Sequence, residues 1–381
     1  MHKKKLRGIT WDHSRGYSPM VATSQRFSEM HPGVEITWEK RSLQAFADQS
    51  VEALAGSYDL IVIDHPWVGM AAARGVLLPL DPHLSPCFLD LLEQGSVGAS
   101  YRSYRAGGVQ WALPIDAATP VAAYRPDLIG NRKAGLPKTY DELIDMASEG
   151  RVILPAIAID ALMHFYMFCS SLGEDPFRSQ ERVVSELTGI QALKLLKNLV
   201  SRVDARCFDW NPVRVYEMMA ETDEFAYCPF AYGYSNYARK GYARRVLNFQ
   251  DLVVLEGHGK MVSTLGGTGL CISAGARHIE EALAYIQYIA APSCQQTLYF
   301  ENGGQPAHLS AWRDDYANCR CAGFFRATLP ALSRAFLRPR YDGYIPFQDA
   351  AGDIVRDYLM EPRSEKSVLG ALDELYLNSV A

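Results

Sequence analysis

The first 64 residues alternate between strand-like and helix-like patterns, and this alternation restricts the fold more than any other feature of the chain. Val34–Glu39 alternates apolar and polar side chains, and Asp59–Asp64 reads as a continuous apolar strand of the kind buried in a parallel sheet. Residues 5–12 read as an earlier strand, and the spacing of apolar residues predicts helices over 19–30 and 43–55. Strand, helix, strand, helix, strand in this order implies right-handed crossovers and therefore an α/β fold.

Polar and aromatic residues follow the first and third of these strands, where ligands of parallel sheets bind. The candidates are Trp11, Asp12, His13 and Ser14 in a polar loop after the first strand, and Asp64, His65 and Trp67 after the third. Core packing is an equal alternative for either tryptophan, and strand-end capping for either aspartate. Two histidines in separate loops do not make a metal site, so neither a metal nor a cofactor is expected.

A glycine cluster stands before a second strand-and-helix unit. Gly266, Gly267 and Gly269 precede the apolar run Leu270–Ile272, and an amphipathic helix then runs to Pro292. Glycines just ahead of a strand let the backbone approach a ligand closely, because no Cβ stands in the way. The cluster lacks the G-x-x-x-x-G-K-[ST] spacing of a phosphate loop, and an ordinary strand–turn–helix unit is the alternative.

The densest aromatic stretch runs from Phe225 to Tyr237. Alternation there could make an ordinary half-buried strand. Because Pro229 and Gly233 interrupt the pattern, we expect some of the rings to face a cleft instead of the core.

Composition bounds the remaining possibilities. A chain of 381 residues suits two lobes, and a net charge of −5 spread along it gives no electrostatic reason to expect nucleic acid. No apolar run approaches the roughly 20 residues of a membrane span. The N-terminus as written has no hydrophobic segment of a secretory signal, so the protein is expected in the periplasm if a signal was removed and in the cytoplasm if the chain is complete. The eight cysteines form no C-x-x-C pair and read as small buried hydrophobic residues.

Six segments in this order resemble the extracellular solute-binding proteins of ABC importers, the sugar-binding family that includes maltose-binding protein. They are R-F-S-E-M-H-P-G-V-E-I-T-W (26–38), A-L-A-G-S-Y-D-L-I-V-I-D (53–64), A-A-A-R-G-V-L-L-P-L-D (71–81), L-P-K-T-Y-D-E-L (136–143), the stretch 263–292 and G-G-Q-P-A (303–307). The resemblance covers most of the chain, and it departs from the family where a short motif is blurred into V-Y-E-M-M-A-E-T-D-E-F-A-Y (215–227).

The resemblance implies a type II periplasmic-binding-protein-like fold, with two α/β lobes and a ligand cleft between them. The N-terminal lobe would hold 1–113 and 264–311, the C-terminal lobe 117–260 and 315–381, with hinge crossings near 113–117, 260–264 and 309–315. By position, the ligand contacts would be the candidates named above together with Asp116, Tyr232, Tyr234, Gly266, Gly267 and Thr268. Arg340, Tyr341 and Tyr344 are less secure. For Arg340, Tyr341 and Tyr344, a position on the protein surface without ligand contact is an equal alternative. A bulky side chain at Gly267 would then block the ligand more than it harms folding.

The function implied is capture of a small polar solute, a sugar or sugar acid above all, by lobe closure and delivery to permease subunits by a monomeric protein. The alternative is a cytoplasmic enzyme or ligand sensor on the same fold. No nucleophile–base pair, metal set or phosphate loop stands out, so no catalytic residue is predicted.

Overall fold

The computed structural model describes residues 3–130 and 135–381. In that part of the chain the strands are β1 Lys4–Trp11, β2 Val34–Arg41, β3 Leu60–Ile63, β4 Arg105–Ala106, β5 Val109–Gln110, β6 Leu113–Ala118, β7 Pro120–Tyr124, β8 Tyr227–Tyr232, β9 Asn248–Gln250, β10 Val254–Leu255, β11 Gly259–Lys260 and β12 Gly266–Ile272.

The helices are α1 Ser14–Met30, α2 Leu43–Asp48, α3 Val51–Ala55, α4 Trp67–Arg74, α5 Pro86–Gly95, α6 Ser100–Ser103, α7 Pro126–Ile129, α8 Tyr140–Ser148, α9 Ala158–Ser171, α10 Glu186–Val200, α11 Pro212–Glu221, α12 Ile279–Ala290, α13 Pro292–Cys294, α14 Leu309–Arg313, α15 Asp315–Arg320, α16 Phe324–Ser333, α17 Tyr344–Met360 and α18 Glu365–Val380. Short 3₁₀ turns cover Ala205–Phe208 and Ser235–Ala238, and a π-helical turn covers Gln295–Tyr299.

The chain forms two compact units. The first extends to Ala118 and also contains Gly266–Ala317 and Arg340–Asp342. The second comprises Thr119–Leu265, Asn318–Pro339 and Gly343–Ala381. Each unit is therefore discontinuous in sequence.

The first unit is built on a five-stranded sheet in the order β2-β1-β3-β12-β6. β1 pairs in parallel with β2 and β3, while β12 runs antiparallel to both β3 and β6. The apolar run of β3 is buried along its whole length, as expected for a central strand covered on both faces. Because β6 runs in the same direction as β1 and β3, the carboxyl ends of these three strands lie at one edge of the sheet.

Two local predictions are wrong. The polar loop expected after β1 is the start of α1: His13 is the N-cap, and its side chain accepts a hydrogen bond from the Arg15 amide. The glycines expected ahead of a strand lie inside β12, where Gly266 and Gly267 pair with Ala118 and Ala117 of β6.

The second unit contains a three-stranded antiparallel sheet, β8-β7-β9. Helix α9 lies in its core, with every residue from Asp160 to Ser171 buried. The only carboxylate among those residues, Asp160, is 3% exposed, and its Oδ2 has no hydrogen-bond partner within the described ranges. One turn later, the buried His164 ring meets Phe230 of β8 at 4.9 Å between ring centroids.

All eight cysteines are free thiols. Cys87, on α5, and Cys319, on α15, are exposed, and the other six are buried. Within residues 3–130 and 135–381, no helix has both the length and the apolar character needed to cross a membrane.

Candidate functional site

Predicted ligand residues collect at the carboxyl edge of the first unit's sheet. β3 ends at Ile63, which pairs with Gly269, so Gly266–Thr268 extend beyond the end of β3. Asp64 and His65 follow β3 directly, and Asp12 and His13 follow β1. We call Asp12, His13, Asp64, His65 and Thr268 the polar edge.

Trp11 belongs to the hydrophobic core of this unit. It is 3% exposed, and its ring lies 5.3 Å from that of Phe46. A Cβ at Gly16 would come within 2.3 Å of the indole, so α1 packs directly on the ring. The contacts of Trp11 are those of the core-packing alternative.

Asp12 and His13 have different surroundings. Asp12 is exposed and forms an ion pair of 2.8 Å with Lys40. Burial, helped by the nearby Arg15 charge, lowers the pKa of His13 to about 4. The imidazole is therefore neutral near pH 7 and can accept the α1 capping hydrogen bond, while Ser14 begins the helix.

Asp116 is held in a buried ion pair with Arg15. Arg15 Nε lies 2.8 Å from one carboxylate oxygen and Nη2 lies 2.5 Å from the other. Both side chains are almost fully buried, at 4% and 0% exposure. Burial raises the pKa of Asp116, and the Arg15 charge opposes that rise. This two-point contact engages both carboxylate oxygens inside the protein.

Arg15 is not among the predicted site residues, because the sequence pattern predicts a loop at this position and the structure has the first turn of α1 there. Gln305 is not among them either: its amide donates to the carbonyl of Ala117 at 2.7 Å, which holds the end of β6. Its position in the G-G-Q-P-A segment was the available signal.

Asp64 and His65 lie side by side after β3. The Asp64 side chain is 27% exposed and accepts a hydrogen bond from the His65 amide at 2.8 Å. The His65 ring is buried and meets Tyr104 edge-on, with centroids 6.4 Å apart. Tyr104, also missed in the sequence, covers Gly269, where a Cβ would approach its ring within 2.6 Å.

Glycine at position 267 allows β12 to pack closely against β6. Gly267 has φ +109°, and a Cβ there would come within 2.3 Å of the Asp116 carbonyl oxygen. The prediction that a bulky residue at Gly267 harms binding more than folding is therefore wrong, because the side chain would meet the backbone of β6. Gly266 is buried, and Thr268 is 5% exposed with its hydroxyl unpartnered in the described chain.

Trp67 and the segment Arg340–Asp342 lie further along this unit. Trp67 is 6% exposed and begins α4. A Cβ at Gly69 would come within 1.9 Å of the Arg340 carbonyl oxygen, so the segment packs against α4. Arg340 and Tyr341 are half-buried. Tyr344, by contrast, is fully buried in the second unit, so a surface position is wrong for it.

The aromatic stretch forms β8 and a 3₁₀ turn in the second unit, and nearly all its rings are buried. Tyr234 is 6% exposed and lies 6.3 Å from the Tyr216 ring. Tyr232 is partly exposed, and its hydroxyl lies 3.2 Å from the Thr264 hydroxyl. Of the two tyrosines predicted to contact a ligand in this unit, Tyr232 is more accessible than Tyr234.

Within the described ranges, no three His, Cys, Asp or Glu side chains are grouped so that they could hold a metal ion. The polar edge contains two carboxylates, two imidazoles and a hydroxyl, all able to form hydrogen bonds. Asp12, His13 and Asp64 are at least partly exposed, whereas His65 and Thr268 are buried.

Comparisons with known proteins identify relatives of this chain by sequence and by fold. One relative, the maltotriose-binding protein of Pyrococcus abyssi, is 30% identical over 121 residues; the match spans 32% of this chain and 25% of that protein. The structure of MalE3 from T. maritima with bound maltose superimposes with a TM-score of 0.85 at 17% identity over 98% of each chain. A solute-binding protein from Thermotoga lettingae bound with α-D-tagatose gives 0.83 at 18% identity over 100% of each chain.

These superpositions confirm the type II periplasmic-binding-protein-like fold. Residues 10–296 match the sequence model of the family described as bacterial extracellular solute-binding protein. The chain therefore belongs to the bacterial extracellular solute-binding protein family.

Proposed function

We propose that this chain is the carbohydrate-binding component of an ABC importer, which captures its solute as a monomer and delivers it to permease subunits. Membership of the solute-binding family supports the carrier role. Proteins of the same fold that were solved with maltose and with α-D-tagatose support the class of ligand.

The polar edge is the observation that carries the proposal. Asp64 keeps one face open to solvent, and Trp67 begins α4 three residues later. Sugar hydroxyls both donate and accept hydrogen bonds, so carboxylate, imidazole and hydroxyl groups beside an aromatic ring match their chemistry. In the second unit, Tyr232 and Tyr234 stay predicted ligand contacts.

A thermal-shift screen against maltose, maltotriose, tagatose and common monosaccharides tests the proposal. A solute that binds only the folded state raises Tm by mass action. The solute should be recovered chemically unchanged after incubation, and its conversion into a product would refute the carrier role.

The Asp64→Asn variant tests the polar edge once a sugar is found. It removes the charge but keeps the size and an acceptor oxygen, so we expect affinity to fall about tenfold through weaker hydrogen bonds to the sugar. Asp90→Asn, an exposed aspartate on α5, is the matched control. Equal affinities for the two variants in isothermal titration would place the sugar elsewhere.

Trp67→Ala is not a clean test of binding. The ring is 6% exposed, so its removal would leave a cavity and cost about 3–5 kcal/mol of stability. Tyr232→Phe removes one hydroxyl and keeps the ring, so it suits the second unit better.

A further inference from the structure

Arg340 is a cation for which the described chain offers no partner. Its Nε and Nη1 atoms are buried and have no hydrogen-bond partner. No carboxylate within residues 3–130 and 135–381 forms an ion pair with it, and the charged group that acts on it is another cation, Arg102. Burial and that like charge both lower the pKa of Arg340.

Other buried guanidinium groups in this protein are neutralised or hydrogen-bonded. Arg15 meets both oxygens of Asp116. Arg125 pairs with Asp127 and Asp223. Arg41 donates to the carbonyl of Ala45.

The carboxylate nearest to Arg340 in the sequence is engaged elsewhere. Asp342 lies 3.7 Å from Arg74, which also pairs with Glu52 at 2.6 Å. The burial of Nε and Nη1 without hydrogen bonds costs desolvation free energy, although Arg340 as a whole is half-buried. Perturbed charged groups of this kind cluster at functional sites.

The backbone of Arg340 packs on the helix that follows the polar edge. Its carbonyl oxygen lies against Gly69, in the first turns of α4, and α4 begins directly after His65 and Pro66. The guanidinium fork of arginine matches the two oxygens of a carboxylate or phosphate.

We propose that the solute carries an oxyanion group, a carboxylate or a phosphate, and that Arg340 binds this group. This inference rests on the proposed function, since it narrows the carbohydrate class to sugar acids or sugar phosphates. The oxyanion of the bound solute would then form an ion pair with the guanidinium.

The test compares charged and neutral forms of the same sugars on the purified protein. D-galacturonate and D-glucuronate supply the carboxylate, glucose 6-phosphate supplies the phosphate, and galactose and glucose are the neutral counterparts. We expect at least one anionic sugar to raise Tm more than its neutral counterpart, and the one that does so identifies the oxyanion. A screen in which only neutral sugars raise Tm overturns the inference and leaves the proposed function standing.

Arg340→Gln should weaken binding of that anionic sugar about 30-fold in isothermal titration, because the charge-assisted hydrogen bonds are lost. Arg340→Lys should recover only part of the loss, because a point charge replaces the two-point fork. Arg277→Gln, an exposed arginine of the same unit, removes the same charge and should leave affinity unchanged. Equal affinities of wild type and Arg340→Gln would overturn the inference.

A second readout separates ligand binding from a structural role. Arg340→Met removes an uncompensated charge, so the unliganded variant should have a Tm equal to or above that of wild type. A marked fall in Tm would show that the guanidinium has a structural partner and would overturn the inference. If the protein binds succinate through Arg340 and binds none of the sugars, the oxyanion inference is confirmed and the proposal of a carbohydrate ligand is wrong.

Discussion

Asp160 should make the stability of this protein fall as the pH rises. The carboxyl lies in the core of the second unit, 3% exposed, and burial raises its pKa to about 8. The unfolded chain loses this proton near the ordinary value of 3.8, whereas the folded chain keeps it until about 8. Between these values unfolding releases a proton, so each rise in pH favours the unfolded state.

The size of the effect follows from the shift. Each pKa unit is worth about 1.4 kcal/mol, so between about pH 5 and about pH 8 Asp160 should remove about 4 kcal/mol of stability. Asp160→Asn replaces the carboxyl by a neutral group of the same shape. The stability of the variant relative to wild type should therefore grow by about 4 kcal/mol between about pH 5 and about pH 8.

Urea denaturation at several pH values, followed by circular dichroism, measures this difference. His164 also affects stability, because burial lowers its pKa to about 3. As the pH falls below 6.5, the unfolded chain binds a proton at His164 while the folded chain does not, and stability falls. That contribution is common to both proteins and cancels in the comparison. Asp145→Asn, an exposed aspartate on α8, is the control. Parallel pH profiles for wild type and Asp160→Asn would refute the assignment of a neutral carboxyl.

Two further predictions concern the first unit. Asp116→Ala removes the carboxylate that Arg15 contacts at two points and should lower stability by about 3–5 kcal/mol, whereas the double variant Arg15→Met with Asp116→Leu should recover most of that loss. A double variant no more stable than the single one would show that the pair itself is required. Gly267→Ala forces a Cβ against the β6 backbone at a positive φ and should cost about 1–3 kcal/mol in urea denaturation. Gly33→Ala, where a Cβ would meet nothing within 4 Å, is its control, and equal losses would contradict the close approach.

The sequence was sufficient for the features that depend on local pattern. The central strands of the first unit are apolar runs and its helices have regular spacing, so β3 and α12 were both predicted close to their observed bounds. The start of α1 was missed because the cap is a histidine, which is not among the preferred N-cap residues.

Features that depend on distant partners were not predictable. Asp116 was chosen as a ligand contact by its position, yet its partner Arg15 is 101 residues away in the chain. Asp160 reads as an ordinary acid in the first turn of a helix, and only the packing of α9 inside the second unit shows that it is buried. The unpartnered state of Arg340 likewise depends on where Asp342 and Arg74 lie.

The distribution of thiols makes this protein suited to fluorescence measurements. Cys87 is exposed in the first unit and Cys319 in the second. Burial raises the pKa of the other six, to about 11 for Cys294 and Cys321, so these thiols form little of the thiolate that reacts with maleimide. The native sequence thus carries one accessible labelling position in each unit. A donor and an acceptor dye attached there would report the response to each solute by energy transfer, with no engineered cysteine.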